Sequence, residues 1–248
     1  MAPSQIGQIH HGADDNASGT AGVMELARIL SQEKAHLRRS ILFMTFAGEE
    51  LGLLGSAYYV EQPMVPLDHT IAMLNLDMIG RVNNNKLYIG GVGTSPGFRK
   101  LVEEENSSSK FDLDFSDLGY DASDHMSFGR NQVPVMFFFS GLHADYHKPS
   151  DTWDKVEPVE TGMVLELVAR VTRRIDASDD RPAYTPPPSR RNSQQASSGQ
   201  GGGQGSGQSG YGPYFGSVPD FGQTEKGVKF AEIREDSPAA KAGLKAGD

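Results

Sequence analysis

The sequence predicts an α/β fold, in which a mixed, mainly parallel sheet is flanked by helices. Apolar runs of strand length alternate with stretches of helical periodicity up to about residue 178, which is the pattern of strands connected by helices. Residues 133–139 are apolar without interruption, as expected of a strand that is buried on both faces. The chain has 248 residues, enough for one sizeable domain and a smaller segment.

The first part of this region predicts two helices and two strands. Apolar residues recur at helical spacing over residues 19–30 and predict a helix there. An apolar strand follows at residues 40–46, then a helix from about 53 to 60 and a second apolar strand at residues 70–76.

The second part continues the alternation and ends in a long helix. Pro96 is suited to the first turn of a helix that extends to about residue 105. The last helix has apolar residues every three to four positions. The predicted elements, in chain order, are a strand at 86–89, the helix from Pro96, strands at 111–115 and 133–139, and the helix at 159–175.

Composition changes after residue 178. Residues 179–212 are rich in Pro, Ser, Gln and Gly, and we expect a flexible linker there because such a segment buries too little apolar surface to offset its ordering entropy. In residues 213–248 we expect a strand at 226–233 and a short helix capped by Ser237. The predicted organisation is therefore a domain at 1–178, a linker and a small β segment.

Composition also excludes several classes of function. The net charge is −9, which argues against a nucleic-acid partner, because phosphate backbones are bound by basic surfaces. There is no cysteine, so a metal would be held by carboxylate and imidazole groups. No apolar run approaches the roughly 20 residues that span a bilayer, and the first residues lack the pattern of a signal peptide.

Titratable residues collect where the predicted strands end. Glu49 and Glu50 close the first apolar strand, and Asp77 directly follows the second. Buried carboxylates are costly unless a cation or a proton balances them, so adjacent acids after an apolar strand indicate a metal site. Because ligands gather at the carboxyl ends of strands in open α/β sheets, we expect one rim to unite these residues: Asp15, Glu49, Glu50, Asp77 and His147.

Five motifs resemble, in order and spacing, those of the zinc-dependent aminopeptidases of metallopeptidase family 28. The motifs are GADDNASG at 12–19, FAGEELGLLGSAYYV at 46–60, LNLDMIGR at 74–81, SDHMSF at 123–128 and YHKPSDT at 146–152. The resemblance implies the aminopeptidase fold, two Zn²⁺ ions in a complete site, peptide substrates, and hydrolytic removal of an N-terminal amino acid.

The resemblance also implies a role for each site residue. Asp15 corresponds to the carboxylate that bridges the two zinc ions, Glu49 to the general base, and Tyr146 to a phenol that stabilises the oxyanion in some members. Glu50 and His147 correspond to further ligands of one zinc, and Asp77 to a ligand of the other. The implied metal ligands are Asp15, Glu50, Asp77 and His147.

The sequence departs from the family at both ends. Family members carry a zinc-binding histidine in a His-x-Asp motif well upstream of GADD, whereas only His10 and His11 precede that motif here. We therefore expect one zinc site to be incomplete, activity to be impaired, and the parent protein to be longer and exported. Residues 213–248 resemble the opening half of a PDZ domain, from which we expect no peptide binding.

Two alternatives to an aminopeptidase remain at this point. Related domains keep the fold as non-catalytic binding modules, although retention of the base Glu49 argues against that function. Similar folds also support carboxypeptidase and glutaminyl cyclase chemistry, and the motifs quoted above do not distinguish these from an aminopeptidase. Asp151 is expected to order the loop after His147 rather than to bind metal.

Overall fold

A computed structural model describes residues 7–118 and 123–186, together with 215, 217–219, 229–233 and 237–248. The helices are α1 Gly19–Gln32, α2 Leu54–Glu61, α3 Phe98–Ser109, α4 His125–Arg130, α5 Pro158–Ala177 and α6 Pro238–Lys241. The strands are β1 Met73–Leu76, β2 Lys86–Gly90, β3 Asp112–Phe115, β4 Val135–Phe139, β5 Ser217–Pro219 and β6 Phe230–Ile233.

The main sheet has four strands in the order β1-β4-β2-β3. The pairs β1 with β4 and β2 with β3 are parallel, whereas β2 and β4 are antiparallel. Phe138 is the register partner of both Leu76 and Ile89, so β4 occupies the interior of the sheet. All five β4 residues are buried, which confirms the predicted buried strand and the mixed, mainly parallel sheet.

Helices cover the sheet on two sides. Met136 and Phe138 of β4 lie in the larger core, which α1, α3 and α5 close with residues such as Val102 and Leu167. Val135, which precedes Met136 and points to the opposite face, belongs to a second core with Phe128 of α4. Side chains of successive strand residues point to opposite faces, so this division between the two cores follows from the strand geometry.

The predicted strand at residues 40–46 is wrong. Residues 41–46 adopt no regular secondary structure and form no backbone hydrogen bond to any other residue that the structure describes. This segment and β1 both line a cleft of about 920 Å³. A strand needs a neighbour for its ladder of hydrogen bonds, and the cleft keeps the apolar segment from pairing with β1.

The other predicted elements of the domain are present with shifted ends, and α4 is an element that the sequence did not predict. Helix α4 has only six residues, too few to show a helical period. Of the described helices, none is both long and apolar enough to cross a membrane.

The C-terminal segment contains an antiparallel pair, β5 with β6, followed by α6. The Ser237 side chain accepts a hydrogen bond from the Ala240 amide at 3.0 Å, which confirms the predicted cap. The predicted strand 226–233 is seen as Phe230–Ile233, and residues 226–228 lie outside the described residues.

Most of the predicted linker, residues 187–212, also lies outside the described residues. Its first part, residues 179–186, contacts the domain. The Tyr184 hydroxyl donates to the Gly129 carbonyl at 3.1 Å, and the Thr185 amide donates to the Thr94 carbonyl at 2.8 Å. The contacts of the domain therefore extend several residues beyond α5.

Candidate metal centre

The structure brings the predicted site residues together at one end of the sheet. Asp15 lies immediately before α1, and Glu49 and Glu50 form a single turn after the unpaired segment. Asp77 directly follows β1, and His147 lies in the loop after β4. Residues that are far apart in sequence thus meet where these segments end, as the α/β topology requires.

Two glycines permit this approach. Gly12 has a φ of +60°, and a Cβ atom there would lie 2.5 Å from the Asp15 carbonyl oxygen. A Cβ atom on Gly19 would lie 2.3 Å from the carbonyl oxygen of Leu76, the last residue of β1. Side chains at either position would therefore push the Asp15 loop away from the end of β1.

Asp15, Glu50 and His147 form the closest cluster. The His147 Nε2 atom lies 3.1 Å from Asp15 Oδ2 and 2.8 Å from Glu50 Oε1. One ligand atom from each residue lies within 4.8 Å of the other two. Three atoms of types that can bind a metal thus surround one point, two of them carboxylate oxygens and one an imidazole nitrogen.

Asp77 completes the acidic rim at a buried position. Its Oδ2 atom accepts a hydrogen bond from the Ser123 hydroxyl at 2.7 Å, whereas its buried Oδ1 atom has no hydrogen-bond partner among the described residues. Burial, with Asp15 and Asp124 nearby, raises the pKa of Asp77 to about 7. A buried oxygen without a partner marks a place for a proton or a cation.

Glu49 is a second acid that resists ionisation. Burial raises its pKa to about 8, and the neighbouring charges of Asp77 and Glu50 act in the same direction. At neutral pH the Glu49 carboxyl group therefore holds a proton in a substantial fraction of molecules. Such a pKa is typical of a carboxylate that exchanges protons with a substrate.

His147 carries the positive charge that faces these acids. Burial lowers its pKa, but the hydrogen bonds to Asp15 and Glu50 outweigh burial and raise the pKa to about 9. Burial likewise raises the pKa of Asp15, while the hydrogen bond to His147 opposes that shift. Without a metal, the proton on His147 balances part of the charge of the two carboxylates.

Tyr146 lies beside this cluster as a neutral phenol. Burial and the charges of Asp15 and Glu50 hold its pKa well above the usual value. Its ring stacks on His147 with the centroids 3.8 Å apart. Tyr146 and the site acids line a small pocket. Its apolar wall is formed by Met78, Phe137, Phe139 and Leu142.

Sequence reasoning missed two residues behind the site, Asp14 and His143. The Asp14 carboxylate is fully buried and lies 3.1 Å from His143 Nε2. The sequence indicated only a helix-capping role for Asp14, because its partner His143 lies 129 residues away in the chain. Asp151 was expected to order the loop after His147, and its carboxylate connects that loop to the segment before α1 by accepting the backbone amides of Asp14 and Asp15 at 3.0–3.1 Å.

Comparison with known proteins gives a family match over most of the domain. The profile of Peptidase family M28 matches residues 3–172. A probable leucine aminopeptidase of Arthroderma otae is 32% identical over 158 residues, which are 60% of this chain and 44% of that protein. The chain spans less than half the length of the first three curated relatives it matches.

Solved structures agree with the fold. The aminopeptidase from Aneurinibacillus sp. strain AM-1 is 28% identical, with a TM-score of 0.56 over 71% of this chain and 41% of that one. BSAP, a zinc aminopeptidase from Bacillus subtilis, is 26% identical, with a TM-score of 0.56 over 69% of this chain and 46% of that one. The described fold is thus similar to that of zinc aminopeptidases.

Proposed function

The chain belongs to peptidase family M28, and from this premise we propose that it forms the zinc-binding part of an aminopeptidase that removes N-terminal amino acids from peptides. The observation that carries this proposal is the cluster of Asp15, Glu50 and His147, whose ligand atoms lie within 4.8 Å of one another. Glu49 and Asp77, with pKa values raised to about 8 and about 7, adjoin this cluster.

The donor set fits zinc. Carboxylate oxygen and imidazole nitrogen are both ligands that Zn²⁺ accepts, and the chain has no cysteine to offer instead. Asp15, Glu50 and His147 would hold one ion, and Asp77 would share a second ion with Asp15. The partnerless oxygen of Asp77 supports that assignment. We expect the ion at the three-residue cluster to be held more tightly, because more groups converge there.

Zinc bound at this site would polarise the scissile carbonyl group and acidify the attacking water. The chain's own part is proton transfer by Glu49. Its carboxylate would accept a proton from the water while the water oxygen bonds to the carbonyl carbon, and would pass that proton to the nitrogen as the C–N bond breaks. Positive charge at the site would lower the pKa of Glu49 from about 8 and populate the base form at neutral pH.

Tyr146 and the apolar wall would position the substrate. Because the Tyr146 phenol stays neutral, it can donate a hydrogen bond to the developing oxyanion. The wall that includes Phe137, Phe139 and Leu142 offers an apolar surface to the N-terminal side chain of the peptide. The named relatives include a probable leucine aminopeptidase, which agrees with an apolar first residue.

The test is an assay of the zinc-loaded chain on three matched substrates: leucyl-p-nitroanilide, its N-acetylated form, and a peptide with N-terminal glutamine. Hydrolysis of the free-amino substrate alone, with loss of activity in Glu49→Gln, is the expected result. Retention of zinc without any turnover would instead favour the non-catalytic module. Cyclisation of the glutamine peptide would favour a glutaminyl cyclase, and release of C-terminal residues a carboxypeptidase.

We further propose that residues 213–248 are the opening half of a PDZ domain. The antiparallel pair of β5 and β6, followed by the capped helix α6, supports this assignment. A PDZ groove binds a peptide by adding it as a strand to the edge of its sheet. We expect no such peptide binding by this segment. Titration of the chain with a library of C-terminal peptides should therefore give no saturable binding.

A further inference from the structure

A fully buried carboxylate, that of Asp14, lies directly behind the proposed metal ligands. Its Oδ1 atom accepts the backbone amide of Gly80 at 2.7 Å, and its Oδ2 atom lies 3.1 Å from His143 Nε2. Both oxygens are thus occupied by partners of the chain. Asp14 is therefore not arranged as a metal ligand, although it is adjacent to Asp15.

The hydrogen bonds of His143 fix where its proton lies. The Nδ1 atom faces two groups that only donate, Arg81 Nη1 at 3.2 Å and the Asp145 backbone amide at 3.3 Å. A nitrogen that receives two donors must present its lone pair. The proton of the neutral ring therefore sits on Nε2, from which His143 donates to Asp14.

Two cations, Arg81 and Lys155, stabilise the position of His143 through Asp145. Arg81 forms an ion pair with Asp145 at 2.7 Å, and Lys155 contacts the other oxygen of Asp145 at 2.8 Å. The guanidinium that donates to His143 is thereby kept in place. A continuous chain of contacts runs from Lys155 through Asp145, Arg81 and His143 to Asp14.

Asp14 connects three loops that carry proposed ligands. It precedes Asp15 in sequence, it bonds to Gly80 three residues after Asp77, and it bonds to His143 four residues before His147. The Asp14 side chain thus connects the segment of Asp15 to the two loops that carry Asp77 and His147.

We propose that Asp14 and His143 are a positioning pair that sets the spacing of the zinc ligands Asp15, Asp77 and His147. The inference rests on the zinc site proposed above and extends it to two residues that touch no metal. Groups that orient metal ligands from behind typically change metal affinity by about 10- to 100-fold when they are removed.

The first test compares Asp14→Asn with Thr94→Val in the full chain. Asparagine keeps the shape of the side chain, but its NH₂ group must face another donor, either the Gly80 amide or the Nε2 proton of His143. His143 cannot relieve this clash by moving its proton to Nδ1, because two donors already face that atom. The control removes the hydroxyl of Thr94, which is equally buried and bonds to the Gly91 and Val135 carbonyls of another region.

Zinc affinity would be measured by competition with a chelating dye, alongside the thermal midpoint of the metal-free protein. We expect Asp14→Asn to weaken zinc binding about 10- to 100-fold. Thr94→Val should lower the thermal midpoint with zinc affinity unchanged. Equal zinc affinities for Asp14→Asn and the wild-type chain would overturn the proposal.

A second pair of variants covers the case in which Asp14→Asn does not fold. His143→Gln retains an N–H donor toward Asp14, whereas His143→Leu has a similar size and no donor. We expect the leucine variant to lose more zinc affinity than the glutamine variant. Equal losses in the two variants would contradict a role for the donated hydrogen bond.

Two readouts on the metal-free chain separate this proposal from the proposed function. Long-range ¹⁵N–¹H spectra should show His143 protonated on Nε2 alone. Hydrogen exchange should become faster in Asp14→Asn at the segments around Asp15, Gly80 and His147, and not in Thr94→Val. If the wild-type chain bound no zinc, the proposed zinc site would be wrong. A proton on Nδ1 of His143, or unchanged hydrogen exchange in Asp14→Asn, would refute the positioning pair.

Discussion

Two groups of acids lie back to back in this domain and differ in how their charge is balanced. The braced acids are Asp14, Asp145 and Asp151, whose oxygens meet cations or backbone amides of the chain. The site acids are Asp15, Glu49, Glu50 and Asp77. No lysine, arginine or histidine in the described part of the chain forms an ion pair with Glu49 or Asp77.

The difference appears directly in proton affinity. Lys155 and Ser150, together with Arg81, hold the pKa of Asp145 well below its usual range. Burial among other acids raises the pKa of Asp77 to about 7 and of Glu49 to about 8. Both groups contain carboxylates shielded from water, so burial alone does not distinguish a structural acid from a site acid. What sets Glu49 and Asp77 apart is that the described part of the chain supplies no cation to them, whereas Asp145 meets Arg81 and Lys155.

The largest expected effect comes from Glu49→Gln, which removes a site acid without removing a proposed ligand. We expect the turnover of a free-amino peptide substrate to fall by about 10²- to 10⁴-fold, the usual contribution of a general base. Zinc content should stay at the wild-type level. Steady-state kinetics with metal analysis of the same sample tests this, and wild-type turnover in Glu49→Gln would exclude Glu49 as the base.

Removing one charge from each group should change stability in opposite directions. In the metal-free chain at about pH 8, Asp77→Asn should raise the free energy of unfolding by about 1–2 kcal/mol, because it removes a buried charge that lacks a cation. Asp145→Asn should lower it by about 1–2 kcal/mol, because Arg81 and Lys155 lose their partner. Urea unfolding measures both, and shifts of the same sign would remove the distinction between the groups.

The pH dependence of stability should follow the site acids. Glu49, Asp77 and His147 all have folded-state pKa values above their unfolded values, so the folded chain binds more protons. Their stabilisation is complete below the unfolded pKa values and is lost as pH rises through about 7 to 9. His125, whose burial lowers its pKa to about 3, acts oppositely only below about pH 6.5.

We therefore expect the thermal midpoint of the metal-free chain to fall by roughly 5 °C between about pH 7 and 9. Saturating zinc should reduce this fall, since zinc binding strengthens as its ligands lose protons. Scanning calorimetry with and without zinc gives the comparison. A metal-free midpoint that rises over this range would show that these three groups do not carry raised pKa values.

The smallest expected effect is the release of protons when zinc binds. At about pH 7.5 His147 is protonated and Asp77 partly so in the metal-free chain. Zinc binding should release about one proton from these residues. Titration calorimetry in two buffers of different ionisation enthalpy measures the number, and Asp145→Asn serves as a control that should not change it. Release of no proton would place zinc elsewhere.

The sequence predicted the main elements of the domain because their patterns are local. Helix α5 and strand β4 are specified by their own apolar residues and are present as expected. The strand at residues 40–46 failed for a non-local reason: an apolar segment becomes a strand only beside a partner, and a cleft lies next to this one.

Glu49, Glu50 and Asp77 could be located from the sequence because they follow apolar runs that end at one rim, and Asp15 through the family motif that contains it. Two of the braced acids, Asp14 and Asp145, could not be separated from them. The contacts that brace Asp14 and Asp145 come from His143 and Arg81, which lie 129 and 64 residues away in the chain. Sequence therefore identifies acids at a site, whereas only the fold shows which of them the chain neutralises itself.

The most direct test of this account is the zinc content of the purified chain, determined by native mass spectrometry after zinc loading and dialysis. Asp15→Ala removes a site acid. Asp176→Asn alters a remote buried acid that accepts the backbone amides of Arg38 and Arg39. We expect zinc in the wild-type chain and in Asp176→Asn, and its loss in Asp15→Ala. Zinc retained by Asp15→Ala at the wild-type level, or no zinc in the wild-type chain, would contradict this expectation.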